Sequence, residues 1–122
     1  MNTNNRLFLP LKSDAFKWFA EGNKKYELRK LHHQYNRRQV KKDRLVELRQ
    51  GYSGPSIWGR IDHVLVEESN LHKLFEKVEF KDVIPVAGSI DEAVSIAEKF
   101  VGTQGPYILF KILKVEESIV KS

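Results

Sequence analysis

Lys24, Glu27 and Arg29 stand within six positions of one another, just after a glycine, in the stretch GNKKYELRK at residues 22–30. A lysine desolvated beside an arginine has a depressed pKa and can act as a base, while the guanidinium steadies an oxyanion or a phosphate. The glutamate can orient both cations or accept a hydrogen bond from an exocyclic amine. Three readings of the trio are open: a structural ion-pair network, a ligand site without chemistry, and a catalytic site using Lys24 and Glu27.

The trio opens the basic part of the chain. Residues 24–49 hold ten Lys or Arg against three acids, a net charge of +7, which leaves −2 for the remainder of a chain whose total is +5. Such a block is the electrostatic footprint of a polyanion site or a solvated loop. For a nucleic acid, Arg29, Arg37, Arg38, Lys41, Lys42 and Arg49 supply charge for phosphates. Recognition of a single strand also needs aromatic faces. Tyr35 and Tyr52 are preferred to Tyr26 and Trp58, because loop aromatics have less reason to be buried. Ser53 and Ser56 stand in and just after the glycine turn GYSGP, where hydroxyls or nearby amides can hold a phosphate or simply bond their own backbone. The candidate ligand-binding set is Lys24, Glu27, Arg29, Tyr35, Arg37, Arg38, Arg49, Tyr52 and Ser53.

Other chemistries lack their residues. His32 and His33 are adjacent and would point to opposite faces, His63 follows Asp62, and His72 falls on a helix surface, so no metal site is expected. There is no P-loop, dinucleotide fingerprint or G-x-S-x-G elbow, and no cofactor is expected. The absence of cysteine removes disulfides, thiolate zinc sites and Cys nucleophiles, and favours an intracellular chain. No run of eighteen apolar residues occurs, and MNTNNRLFLP lacks the apolar stretch of a secretory signal, so a cytoplasmic protein without a membrane partner is expected.

The elements that must position these residues follow from periodicity. RLFLPL, 6–11, contains Pro10 and reads as an edge strand. DAFKWFAEG is a short helix, with Ser13 placed to cap it, Phe16 and Phe19 on its buried stripe, Trp18 its one ligand-facing candidate, and Gly22 at a left-handed C-terminal position. KKYELRKL, 24–31, alternates as a half-buried strand, with Tyr26 and Leu28 on one side and Glu27 and Arg29 on the other. Strict alternation places Lys24 opposite Glu27 and Arg29, so convergence requires the turn after Gly22 to rotate it inward. Residues 32–43 form a basic loop, and RLVELR, 44–49, is a strand. SIWGRIDHVLVEE, 56–68, is a long strand in which Gly59 marks a bulge or a close backbone approach. Leu71, Leu74, Phe75 and Val78 have helical spacing. Ser89 and Glu92 form a capping box before a helix burying Ala93, Val94, Ala97, Phe100 and Val101. YILFKILKV, 107–115, is apolar on both faces, as a central strand is. The 122 residues make one domain, α+β, a small mixed β-barrel with about three short helices at its ends.

Gly22, Lys24, Glu27 and Arg29 in the order G-x-K-x-x-E-x-R after a short aromatic helix resemble the signature of the ASCH domain, a barrel family of the PUA-like superfamily. The likeness runs over roughly residues 7–115. It takes in the helix DAFKWFAEG, the strands RLVELR and IWGRIDHVLV around a glycine turn, and the final apolar strand. It is similar to a subgroup with an extended loop holding an aromatic-Asn-Arg segment, here Tyr35, Asn36 and Arg37, and a Gly-Tyr turn, here Gly51 and Tyr52. Many members carry Gly-Asp before the third strand; Lys42 and Asp43 stand there in this chain. The resemblance implies binding of RNA or a nucleotide-like molecule in a cleft beside the motif. It also implies a hydrolase as the alternative, because one branch removes acyl groups from the exocyclic nitrogen of modified cytidine and nuclease activity has been attributed to another. The acyl-hydrolase branch shares the lysine but has threonine where Glu27 stands, and a glutamate in the loop that is VIPVAGS, 83–89, here.

Overall fold

Proline at position 10 removes a backbone donor, so its strand belongs where one side of the ladder is vacant. In the computed structural model, which describes residues 3–121, that strand is β1, Leu7–Leu11, and it forms one edge of a five-stranded mixed sheet. Met1 and Asn2 of the N-terminal segment lie outside the described residues. The other strands are β2, Tyr26–Lys30; β3, Leu45–Gln50; β4, Ser56–Glu67; and β5, Tyr107–Val115. The order is β1-β3-β4-β5-β2, parallel only between β1 and β3. The sheet curls into a half-barrel rather than closing, because its edges β1 and β2 share no ladder.

Alternation along β5 explains why that strand is apolar throughout. Ile108, Phe110 and Ile112 pack inside the curl with Leu9, Val46, Leu48 and Ile61, whereas Tyr107 and Leu109 pack outside against helices. The outer layer comprises α2, Leu71–Leu74, and α3, Ile90–Val101, with a 3₁₀ turn at Phe80–Asp82 between them. The inside is plugged by Phe19 of α1, Ser13–Ala20, and by Tyr35 and Val40 of the basic loop. A fourth short helix, α4, Glu117–Lys121, contacts β4. It and the 3₁₀ turn add to the three helices expected from periodicity.

Local signals were obeyed in most places. Asn70 caps α2 by accepting from the Lys73 amide at 2.9 Å, and Ser89 caps α3 by accepting from the Glu92 amide at 3.1 Å. The returning arm of the box differs, since Glu92 reaches the Gly88 amide at 2.8 Å. Ser13 does not cap α1. It is the first helical residue, Lys12 occupies the cap position without a side-chain bond, and the Ser13 hydroxyl accepts from Gln50 Nε2 at 2.9 Å.

Gly59 is a close approach and not the bulge. A Cβ there would stand 2.3 Å from Ile112 Cγ2 and 3.1 Å from the Leu113 carbonyl, while the irregularity in β4 lies between Ile61 and His63. Gly59→Ala is therefore expected to cost about 2 kcal/mol through overpacking, measured as a shift in the urea midpoint at unchanged slope.

Glu67 closes β4. Its carboxylate accepts from the Ser69 amide at 2.9 Å and hydroxyl at 2.6 Å, and from Lys77 Nζ at 2.8 Å. The Lys77 and Ser69 hydrogen bonds bring its pKa down to about 2. A depressed carboxylate contributes stability that is complete above its unfolded value and lost as pH falls through the folded one. Stability should therefore decline as pH falls from about 4.5 toward 2. Thermal melts of Glu67→Gln over that window should show a shallower decline than the parent protein.

Candidate functional site

The path to the site starts with Gly22, whose φ of +81° ends α1 in the left-handed region. The next two amides, of Asn23 and Lys24, both donate to the Trp18 carbonyl, at 2.9 and 3.1 Å. Lys24 thus belongs to the turn, two residues before β2 begins, and is released from the alternation that would send it to the helix side. Its side chain turns toward that of Glu27.

Lys24 Nζ lies 3.6 Å from Glu27 Oε1, donates to the Val83 carbonyl at 2.5 Å, and stands 5.4 Å from the centroid of the Phe19 ring. Arg29 donates to Glu27 Oε2 twice, from Nε at 3.0 Å and from one terminal nitrogen at 2.8 Å. That same nitrogen donates to the Pro10 carbonyl at 2.9 Å, and the other to the Tyr35 hydroxyl at 3.3 Å. The guanidinium also lies over the Tyr35 ring, 4.8 Å from its centroid. Lys24 is 5% exposed and Glu27 7%. Burial lowers the Lys24 pKa, opposed by Glu27. Burial also acts to lower the Arg29 pKa, but Glu27 and Tyr35 more than offset it, and the net direction is upward.

These three side chains line a cleft of about 410 Å³ at the seam where the sheet fails to close. Pro10 and Leu11 of β1 form one bank and Glu27, Leu28 and Arg29 of β2 the other. Trp18 of α1, Ile84, and Ala97 and Phe100 of α3 complete the walls. Trp18, the one residue of α1 considered for a ligand-facing role, is part of this lining. Phe100 departs from the expected buried stripe, since it is 57% exposed at the cleft, with Lys12 Nζ 5.0 Å from its ring centroid.

The other expected site residues divide. Tyr35 is not an open stacking face: it is 8% exposed, packed into the core inside the curl, and burial raises its pKa. The reason is Asn36, which donates to the His32 and His33 carbonyls and accepts from the Arg38 and Gln39 amides, folding the loop so that its aromatic turns inward. Arg37 and Arg38 are exposed and lie outside the cleft lining, as does exposed Ser53. Tyr52 is 79% exposed, near Phe8 at 6.1 Å between centroids, and within electrostatic reach of Arg29 and Tyr35. Arg49 is held on the opposite face of the sheet, 2.6 Å from Glu47 Oε2, donating to Ser56 Oγ at 3.0 Å and the Tyr52 carbonyl at 3.2 Å. The Ser56 hydroxyl in turn donates to Glu47 at 2.6 Å, which removes it as a phosphate ligand.

Sequence reasoning missed Glu47, buried between Arg6 at 2.6 Å and Arg49, and the backbone acceptors at Val83 and Pro10. An ion-pair pattern did mark Glu47, because Glu and Arg two apart on a strand share a face. Nothing in side-chain types marks a carbonyl. Asp43, in the Lys42-Asp43 pair before β3, carries a φ of +71°, so aspartate itself takes the left-handed position and donates its amide to the Ile61 carbonyl at 2.7 Å. Tyr26 is buried on the helix side with its hydroxyl 2.8 Å from His63 Nε2, while His63 Nδ1 lies 2.8 Å from Asp62. Among the described residues no cluster of three His, Cys, Asp or Glu could hold a metal ion, and no helix is long and apolar enough to cross a membrane.

No family model matches the chain, and no curated protein matches it. Among solved structures it is similar to the crystal structure of hypothetical protein PH0355, with TM-score 0.71 and 20% identity over 88% of this chain and 97% of that one. It is also similar to the solution NMR structure of protein PF0455 from Pyrococcus furiosus, with TM-score 0.65 and 20% identity over 91% of this chain and 98% of that one. Likeness at this identity speaks for the fold.

Proposed function

We propose that this chain is an ASCH-like module on a PUA-like barrel that binds RNA or a nucleotide-like ligand in the cleft over Lys24, Glu27 and Arg29. One observation carries the reading: three charged side chains from one short motif, two of them almost wholly buried, converge on an open cleft of about 410 Å³. Buried ion pairs are often no more stabilising than apolar residues of similar volume, so a purely structural use leaves this arrangement beside an open space unexplained.

The atoms suggest the division of labour. Glu27 Oε2 is taken by Arg29, whereas among the described residues Oε1 has only the Leu28 amide at 3.3 Å and Lys24 at 3.6 Å. Oε1 is left able to accept from an exocyclic amine or ring N–H. Trp18 and Phe100 offer apolar walls for a base, Arg29 offers charge for a phosphate, and Tyr52, exposed outside the cleft lining, offers a stacking face for a neighbouring base.

The hydrolase reading draws on the burial that lowers the Lys24 pKa. Against it, the Lys24 nitrogen already donates to Val83 and faces Glu27, contacts that oppose the effect of burial and occupy the atom a base would use. The loop 83–89 also brings no carboxylate into the cleft.

Trp18 fluorescence during titration with short single-stranded RNA tests the binding reading. Affinity should weaken as salt rises, because phosphate contacts release counterions, and Tyr52→Ala should cost roughly 1–3 kcal/mol of binding. No binding at low salt would overturn it. Cleavage of the RNA, or acid release from an N-acylated cytidine, that disappears in Lys24→Met would move the assignment to the hydrolase.

A further inference from the structure

A second cleft, of about 340 Å³, shares Lys24 with the first. It exists because β5 runs on past the start of β2. Tyr26, the first residue of β2, pairs with Lys111; beyond that, on the β2 side and among the described residues, the Ile112 amide alone finds a backbone partner, the Lys25 carbonyl at 2.9 Å. The last residues of β5 therefore have no strand beside them on that side, and the curl is open there. Gly22 borders the gap, and a Cβ on it would meet nothing within 4 Å, so the space is real on that side as well.

The chemistry of this cleft is one-sided. Its floor is Phe19, Leu48, Ile57 and Ile112, its charged lining is Lys24, Lys25, Lys111 and Lys114, and it has no carboxylate in its lining. The lysines differ in how far they are already used. Lys24 is committed to Val83 and Glu27, and Lys114 Nζ is fixed by the Ala20 carbonyl at 2.8 Å. Lys25 is 3.9 Å from Asp82, at the limit of an ion pair, with more than half its side chain in solvent. The Lys111 ammonium makes no hydrogen bond or ion pair among the described residues, and Asp62 lies within its electrostatic reach. Like charges gathered around a small hollow raise one another's energy, and an anion placed among them relieves it.

We propose that the second cleft is a phosphate subsite for the nucleotide next to the one in the first cleft, so that the ligand is a single-stranded polynucleotide rather than a mononucleotide. The inference rests on the reading of the first cleft given above. Lys24, a wall of both clefts, places the two subsites next to each other. Lysines suit the task of holding backbone phosphate without reading sequence, because each is a mobile point charge and lacks the planar fork that Arg29 presents. The apolar floor accommodates the adjoining sugar.

The test is the double variant Lys25→Gln/Lys111→Gln, which removes two ammonium groups whose one ion pair among the described residues is the solvent-exposed 3.9 Å contact of Lys25 with Asp82. Its circular dichroism should match that of the parent. A nucleoside monophosphate and a short RNA oligonucleotide are titrated into both proteins across a salt series. The parent should bind the oligonucleotide more tightly than the monophosphate. In the variant, oligonucleotide affinity at low salt should fall about tenfold, and the slope of log affinity against log salt should flatten by roughly 0.7 for each phosphate that the variant no longer neutralises. Monophosphate binding should be unchanged. An oligonucleotide affinity and slope that survive the double substitution would overturn the subsite and leave the first cleft intact. So would a parent protein that binds the monophosphate as tightly as the oligonucleotide. If the parent binds neither at low salt, both clefts lose their assignment together.

Discussion

Glu27→Ala is expected to destabilise the protein by about 3–5 kcal/mol, the largest effect of any single substitution in the motif. The glutamate is the one acid between two cations, and its removal leaves Lys24 only the Val83 carbonyl and Arg29 only Tyr35 and Pro10. Lys24 cannot escape to water, because it is 5% exposed. For a chain of this size the loss corresponds to a fall in Tm of roughly 10–20 °C. Lys24→Met should behave differently. Glu27 would keep both of its bonds to Arg29, and a buried ammonium would be exchanged for an apolar chain of similar length, so the stability change should stay within about 1 kcal/mol. Urea titrations of the two variants decide it. Equal losses would mean that the trio is not organised around Glu27.

That contrast was only half legible in the sequence. The turn chemistry of Gly22 and the alternation from Tyr26 onward placed Glu27 and Arg29 together, because a strand puts residues two apart on one face. Lys24 could be placed only conditionally. Its position depends on the two amides that bend back to the Trp18 carbonyl, and that geometry arises from where the helix stops, which periodicity fixes to within a residue or two. Long-range closure was less readable still. Tyr35 sits in a polar, basic loop with no period, and its burial follows from Asn36 folding the loop and from Arg29 arriving beneath it from another strand. Arg49 reads as a free cation until Glu47 and Ser56, which face it across β3 and β4, are seen to occupy it. Helices α1 to α3 and the five strands are local events with strong signals, whereas the half-barrel depends on which edges meet, for which the strand count, the Gly-rich corners and one proline at an edge strand are indirect hints.

The edges meet through Arg29, and its replacement tests whether that contact closes the fold. The guanidinium spans from β2 to the Pro10 carbonyl of β1 while lying on Tyr35, so it ties both sheet edges to the loop that plugs the curl. Arg29→Met should cost about 3 kcal/mol, at the low end for a broken buried pair because about a quarter of the side chain reaches solvent. Arg29→Lys keeps the charge on Glu27 but has no plane to lie on Tyr35 and no fork to reach Glu27 and Pro10 together, so about half of that loss should remain. The effect should also be local. Hydrogen exchange ought to quicken in β1 and in residues 31–40 before it quickens in β4 and β5, which are held by ladders on both sides. A lysine variant as stable as the parent, with unchanged exchange in β1, would show that the apolar interior alone holds the curl and that Arg29 answers only to the cleft.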